Sequence, residues 1–134
     1  MMHAMFTGAS LQVTLAVPSV VASVEFYRKV LGFDFQGYWD PATRRALQEW
    51  TSATSPWYAE VRAGESRIGL RPGGGVIAGV ELSLTVNDLG AFFEQVRRAG
   101  GNPSAPEQQA WGAKLFTVTD LNGVRWSFME GTKR

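Results

Sequence analysis

Polar and apolar residues alternate in two separate stretches of the chain, residues 11–17 and residues 80–86. This alternation places the apolar side chains on one face, so both stretches are predicted to be half-buried strands. Apolar residues then recur at helical spacing until Gly32 ends the first pattern and Gly100 ends the second. The chain is therefore predicted to contain two half-domains, each made of a strand, a helix and a run of strands.

The later strands of the two halves also correspond. Residues 66–73 read Ser-Arg-Ile-Gly-Leu-Arg-Pro-Gly, and residues 124–131 read Val-Arg-Trp-Ser-Phe-Met-Glu-Gly. Residues 57–71 and 115–128 are rich in aromatic and β-branched residues around central turn residues, which is typical of hairpins. Polar side chains at Ser19 and Asp88 are placed to cap the two helices.

Residues 39–55 have no counterpart in the second half, so we interpret them as an insertion. Asp40 followed by Pro41 is a favourable helix start, because aspartate accepts hydrogen bonds from free amides and proline suits the first helical position. Residues 42–51 are therefore predicted to form a short extra helix that carries Leu47 and Trp50 on one side.

One domain is expected, with module one at residues 11–72, a glycine-rich linker at residues 73–79 and module two at residues 80–130. The alternative interpretation of the glycines is a phosphate-binding loop. No Lys-Ser or Lys-Thr pair and no helix start follows them, so a linker is favoured.

Composition narrows the classes of function. An apolar fraction of 45% and a charged fraction of 19% are ordinary for a globular protein, and a net charge of +1 gives no reason to expect nucleic acid as a partner. The absence of cysteine excludes thiolate catalysis, and a Ser-His-acid triad would depend on His3, the only histidine. No apolar run approaches the roughly 20 residues of a membrane span, and no secretion signal is evident, so no membrane partner and a cytoplasmic location are expected.

Three motifs resemble the glyoxalase/bleomycin-resistance/extradiol-dioxygenase superfamily, also called the vicinal oxygen chelate fold. They are Ser-Val-Glu-Phe-Tyr-Arg-Lys-Val-Leu-Gly-Phe at residues 23–33, Val-Asn-Asp-Leu at residues 86–89, and the segment from Trp111 to Gly123. The resemblance covers residues 11–130. It departs from the family pattern at Leu121, where a proline is usual, and at Ser19, where an aspartate is usual.

This resemblance implies an α+β fold in which two βαβββ modules in tandem form curled mixed sheets around a cavity, usually in a homodimer. Enzymes of the superfamily bind a divalent metal at positions that match Gln12, Gly69, Glu81 and Ser127 here. Only Glu81 is a strong ligand in this set, so no metal and no cofactor are expected. The four positions are then expected to line the cavity. For Glu81 this leaves three alternatives: a carboxylate with a raised pKa, a carboxylate that holds a cationic ligand, or one that is simply solvated.

Five tryptophans are many for 134 residues. Trp126 neighbours Ser127 on a predicted strand, so it points to the opposite face and is predicted to lie in the core. In metal-free, drug-sequestering members of the superfamily, aromatic residues near the second strand and the tryptophan of the Trp-Gly motif stack on the ligand. That resemblance gives the ligand-stacking role to Trp111 and, by position, to Trp39.

Other candidate residues for the ligand site are Trp50, Trp57 and Tyr38, with Trp50 on a possible lid. The leading hypothesis is a metal-free, dimeric protein that sequesters a planar or aromatic small molecule, as in antibiotic resistance. The alternative is a metal-dependent lyase, isomerase or dioxygenase of the glyoxalase type with an atypical metal site. A third possibility is an accessory module that engages a partner protein through its outer face.

Overall fold

The structure is a computed structural model that describes Met5 and residues 10–131. His3 and most of the predicted lead-in at residues 1–9 lie outside the described residues. Module one forms a mixed five-stranded sheet, sheet A, with the strand order β1-β5-β4-β2-β3 and one helix. Its elements are β1 (Gln12–Val17), α1 (Val20–Lys29), β2 (Asp34–Asp40), β3 (Arg45–Leu47), β4 (Ala59–Ala63) and β5 (Ser66–Pro72).

Module two forms a mixed four-stranded sheet, sheet B, with the strand order β6-β9-β8-β7 and a second helix. In both sheets the first strand of the module pairs in parallel with the last, so Gln12 lies opposite Arg67 and Glu81 lies opposite Arg125. The predicted α+β fold with two tandem modules is therefore confirmed. The elements of module two are β6 (Glu81–Val86), α2 (Leu89–Arg98), β7 (Glu107–Gln108), β8 (Lys114–Thr119) and β9 (Arg125–Glu130).

Both predicted helix caps are confirmed. The Ser19 hydroxyl accepts a hydrogen bond from the amide of Ala22 at 3.1 Å, and Asp88 Oδ1 accepts one from the amide of Ala91 at 3.0 Å. Each cap satisfies an amide that has no partner within its helix. Because each helix contains only ten residues, its stability depends on packing one apolar side onto its sheet.

The predicted extra helix in residues 42–51 is wrong. Residues 41–44 form a turn, and β3 then pairs antiparallel with β2, placing Ala46 opposite Trp39. Asp40 does bind a free amide, that of Ala42, but its second oxygen accepts from the Thr43 hydroxyl and closes a turn. Arg44 then adopts a left-handed conformation, with φ of 57°, which stops helical propagation.

The prediction that Trp126 lies in the core is confirmed, and this ring packs at the boundary between the modules. Trp126 is 1% exposed, and its ring centroid lies 5.6 Å from that of Tyr27 and 5.3 Å from that of Phe33. Both contacts are edge-to-face, the arrangement that aromatic quadrupoles favour. Side chains from α1 and the α1–β2 connection therefore pack on β9 of the other module.

A buried polar network crosses the same boundary. The Asp120 carboxylate accepts hydrogen bonds from the Tyr27 hydroxyl, from Trp126 Nε1 at 2.9 Å, and from the amides of Asn122 at 2.8 Å and Val124 at 3.0 Å. The Asn122 side chain donates to the Ser23 hydroxyl at 3.0 Å. The turn between β8 and β9 is thus bonded to α1, which joins the two modules.

Burial raises the pKa of Tyr27 far above its usual value near 10, and the neighbouring Asp120 carboxylate raises it further. Because the folded-state pKa exceeds the unfolded one, the neutral phenol stabilises the fold below about pH 10, and this contribution is lost as the pH rises above that value. We expect Tyr27→Phe to cost about 1–2 kcal/mol at pH 7. The stability difference between wild type and variant should then shrink above pH 10, by up to about 1.4 kcal/mol per pH unit.

Urea unfolding from pH 7 to pH 11 measures this difference. A difference that stays constant over the whole range would show that the Tyr27 phenol does not titrate with folding. Tyr58→Phe, whose ring lies at the surface of sheet A, is the matched control and should show a smaller dependence.

Candidate functional site

Each sheet has one face that packs into the core and one open face that carries mostly polar residues. On β1, Leu15 and Val17 are buried, whereas Gln12 and Thr14, nearer the start of the strand, are exposed. On β6, Leu82 and Leu84 are half-buried, and the alternating polar residues are exposed. Gln12 and Glu81, two of the positions that the family resemblance assigns to the cavity lining, lie on these open faces.

Gln12, Tyr58 and Gly69 meet on the open face of sheet A. Gln12 Nε2 donates a hydrogen bond to the Tyr58 hydroxyl at 2.8 Å. The Tyr58 ring lies over Gly69 so closely that a Cβ on this glycine would lie 2.4 Å from the hydroxyl oxygen. Burial raises the pKa of Tyr58, and the charge of Glu60 raises it further, so the phenol stays neutral near pH 7.

Sequence reasoning missed Tyr58 as a cavity-face residue. The available signal was strand alternation. Tyr58, which immediately precedes β4, lies on the same face as Glu60, and Ala59 and Val61 are buried on the other face. The Tyr58 side chain occupies the space above Gly69 that a side chain at position 69 would otherwise fill.

Glu81 and Ser127 lie on sheet B. The Glu81 carboxylate forms an ion pair with Arg125 at 3.0 Å, and its side chain is 52% exposed. Ser127 is 3% exposed, since it lies on β9 between Ser83 of β6 and Thr117 of β8. Of the alternatives for Glu81, the structure favours a solvated, paired carboxylate over a buried one.

The four positions at which the superfamily's enzymes hold a divalent metal do not form a fitting donor set here. They provide the paired Glu81 carboxylate, the amide oxygen of Gln12, the shielded hydroxyl of Ser127 and no side chain at Gly69. Divalent transition metals in proteins are held by several imidazole, thiolate or carboxylate groups. Among the described residues, no three His, Cys, Asp or Glu side chains cluster in a way that would bind a metal ion.

Trp39 and Trp111 present indole rings at the surface of different modules. Trp39 lies on β2 and is 37% exposed, whereas Trp111 lies between β7 and β8 and is 65% exposed. Trp111 lines a groove of about 540 Å³ together with Gln108, Lys114 and Glu130, and Trp39 is not among the lining residues. Within one chain, these two aromatic candidates therefore belong to separate surfaces.

The other aromatic candidates lie on the opposite side of sheet A from Trp39. Tyr38 is 4% exposed, and its ring centroid is 6.0 Å from that of Trp50. Trp50 and Trp57 both line a second pocket, beside Leu47. Since Tyr38 and Trp39 are adjacent on β2, their side chains point to opposite faces. Trp50 is consequently not placed as a lid over Trp39.

The sequence model of the Glyoxalase/Bleomycin resistance protein/Dioxygenase superfamily matches residues 9–128. The chain belongs to this superfamily, as its motifs indicated. A comparison with curated proteins finds no match.

Solved structures with the same fold include TioX, a bleomycin-binding protein and a glyoxalase-related enzyme. TioX from Micromonospora sp. ML1 superposes with a TM-score of 0.70 at 21% identity, covering 93% of this chain and 100% of TioX. A bleomycin-binding protein from Streptomyces verticillus, solved with copper(II)-bleomycin, gives 0.65 at 21% identity, covering 92% and 96%. A glyoxalase-related enzyme from Clostridium phytofermentans gives 0.70 at 17% identity, covering 92% and 95%. The fold is thus shared by binders and enzymes, so function must be argued from this chain's own residues.

No helix among the described residues has the length and apolar character that crossing a membrane requires.

Proposed function

We propose that this protein binds and sequesters a planar or aromatic small molecule without a metal ion, as drug-binding members of its superfamily do. The observation that carries the proposal is the exposure of the indoles of Trp39 and Trp111, the two residues to which the family resemblance gives the ligand-stacking role. An exposed indole offers a large flat apolar surface, and each aromatic pair formed with a ligand contributes about 0.5–1.5 kcal/mol beyond area burial. The purpose we propose is protection of the cell from an antibiotic.

The charges on the open faces argue against a strongly cationic ligand. Glu60 pairs with Arg62 at 2.9 Å on sheet A, and Glu81 pairs with Arg125 at 3.0 Å on sheet B. Each open face therefore carries an ion pair, and sheet A adds Arg67 and Arg71, which lie opposite Gln12 and Ala16. A polycationic drug such as bleomycin is disfavoured on such faces, because no excess of carboxylates is present to hold it.

We also propose that the protein is a cytoplasmic homodimer. β1 and β6 are edge strands of their sheets, and exposed edges and open faces invite pairing with a second copy. Apolar side chains continue this surface, with Leu11 81% exposed and Val80 37% exposed beside the two edges. In a dimer, module one of one copy can face module two of the other and bring Trp39 close to the partner's Trp111.

The alternative is a metal-dependent lyase, isomerase or dioxygenase of the glyoxalase type. It rests on Glu81, the one carboxylate at a family metal position. This alternative requires the Glu81–Arg125 ion pair to open and further metal-coordinating groups to be present. The residues at the family metal positions therefore support it less well than they support ligand binding without a metal.

Substitution of either surface indole is expected to weaken aromatic ligand binding. Trp111→Ala and Trp39→Ala should each reduce the affinity for a bound planar drug about two- to tenfold, which corresponds to the loss of one stacking contact. The affinity is measured by calorimetry with the compound that quenches wild-type tryptophan fluorescence most strongly. Trp57→Ala, on the opposite side of sheet A, is the matched control and should leave the affinity unchanged. Normal affinity in both Trp39 and Trp111 variants would refute the assignment of the site.

A further inference from the structure

The inserted segment forms a pocket that neither the family resemblance nor the proposed function uses. It has a volume of about 340 Å³, and Asp40, Leu47, Glu49, Trp50, Thr54 and Trp57 are among its lining residues. Leu47 lies opposite Tyr38 in the β2–β3 hairpin, whereas Trp39 lies opposite Ala46. The pocket is therefore on the other side of sheet A from Trp39.

The lining of this pocket combines indoles with carboxylates and contains no Lys, Arg or His. Asp40 accepts its hydrogen bonds from neutral groups, the Ala42 amide and the Thr43 hydroxyl. Neither Asp40 nor Glu49 has an ion-pair partner among the described residues, although Arg45 lies opposite Asp40 in the hairpin. The lining therefore carries two carboxylates that form no ion pair with another described residue.

The two indoles are held in different ways. Trp50 Nε1 donates to the carbonyl oxygen of Thr54 at 2.6 Å, which fixes the ring and closes the loop that forms the pocket wall. Trp57 is 65% exposed, so a large aromatic surface stands beside the carboxylates. A cation within about 6 Å of such a ring is attracted by its negative face, and tryptophan is the strongest aromatic partner for this interaction.

We propose that this pocket binds an organic cation, such as an alkylammonium group, between the indoles of Trp50 and Trp57 and the carboxylates of Asp40 and Glu49. A small inorganic cation fits less well. Calcium takes six to eight oxygen ligands, whereas both Asp40 oxygens already accept hydrogen bonds and Glu49 is the one other carboxylate in the lining. An ammonium group with alkyl substituents satisfies both the aromatic and the charged parts of the lining. This goes beyond the proposed sequestration of an aromatic molecule, since it concerns a different pocket.

The test uses tetraethylammonium chloride as the probe, with sodium chloride at equal ionic strength as the reference, and follows the five indole N–H signals by NMR of the whole protein. We expect saturable shifts of two indole signals, which Trp50→Phe and Trp57→Phe assign to these residues. Glu49→Gln and Trp57→Ala should each weaken binding about three- to tenfold, within the range of one cation–π or one charge contact. Glu65→Gln, in the exposed turn between β4 and β5, and Trp111→Ala are the matched controls and should bind the probe as wild type does.

Any of three results would overturn the proposal. These are shifts equal to those in sodium chloride, shifts confined to the Trp111 signal, and normal affinity in both Glu49→Gln and Trp57→Ala. Saturation by calcium chloride instead of the organic cation would also overturn it. Because Trp39 and Trp111 take no part in this pocket, failure here leaves the aromatic ligand test untouched, and failure of that test leaves this one untouched.

Discussion

Replacing Asp120 with alanine is expected to destabilise the protein by about 3–5 kcal/mol, because four hydrogen-bond donors lose their acceptor inside the fold. The donors are the Tyr27 hydroxyl, Trp126 Nε1 and the amides of Asn122 and Val124. Asp120 is itself only 6% exposed, so water does not readily replace the lost oxygens. A loss of this size is a large part of the stability of an ordinary domain.

Urea denaturation at pH 7 measures this loss. Asp120→Asn keeps one acceptor oxygen and should lose about 1–3 kcal/mol, so it should fall between wild type and the alanine variant. Asp34→Ala removes an exposed carboxylate from β2 and should change the stability by less than about 0.5 kcal/mol. If Asp120→Ala were no more destabilising than Asp34→Ala, the network would not hold the modules together.

Replacing Gly123 with alanine is expected to destabilise the protein by about 2–4 kcal/mol for two separate reasons. Its φ of 94° lies in the left-handed region, which side chains other than glycine adopt only with strain. A Cβ at this position would also lie 2.4 Å from the carbonyl oxygen of Ile77, in the segment between the modules. This segment is fixed there by a hydrogen bond from the Ile77 amide to the Asn122 carbonyl oxygen at 2.8 Å.

Gly64→Ala separates the two causes. Gly64 occupies the corresponding hairpin turn of module one with φ of 59°, and a Cβ there meets no atom within 4 Å. It should therefore show only the backbone cost of about 1–2 kcal/mol. Equal losses at Gly64 and Gly123 in thermal or urea unfolding would show that the close approach to Ile77 contributes nothing.

The repeated architecture was predictable because its signals are local. Alternation at residues 12–17 and 81–86 places apolar side chains on one face of each edge strand, and Ser19 and Asp88 supply helix caps within a few residues of the amides that they bind. The network around Asp120 was not predictable in the same way. Tyr27 and Asp120 are 93 residues apart, and nothing in a single sequence indicates that they touch.

The inserted segment shows where local signals mislead. Asp40 followed by Pro41 suits a helix start and a β-turn equally, and the short strand β3 has too few residues for a visible alternation. A register shift between Phe35 and Gly37 also changes which residues of β2 share a face. Tyr38 and Trp39 point to opposite faces in any register, but counting from Phe35 across the shift does not give which ring takes which face. The structure buries Tyr38 beneath Trp50 and leaves Trp39 on the open face.

The central claim is that the chain binds an aromatic small molecule without a metal ion. The most direct measurement is a fluorescence and calorimetric titration of the whole protein with a panel of planar aromatic drugs and metabolites, in the presence of EDTA and again with each divalent ion. The account predicts saturable binding of at least one compound, with equal affinity in EDTA and in metal. Binding that appears only with an added divalent ion, or no binding by any compound under either condition, would contradict it.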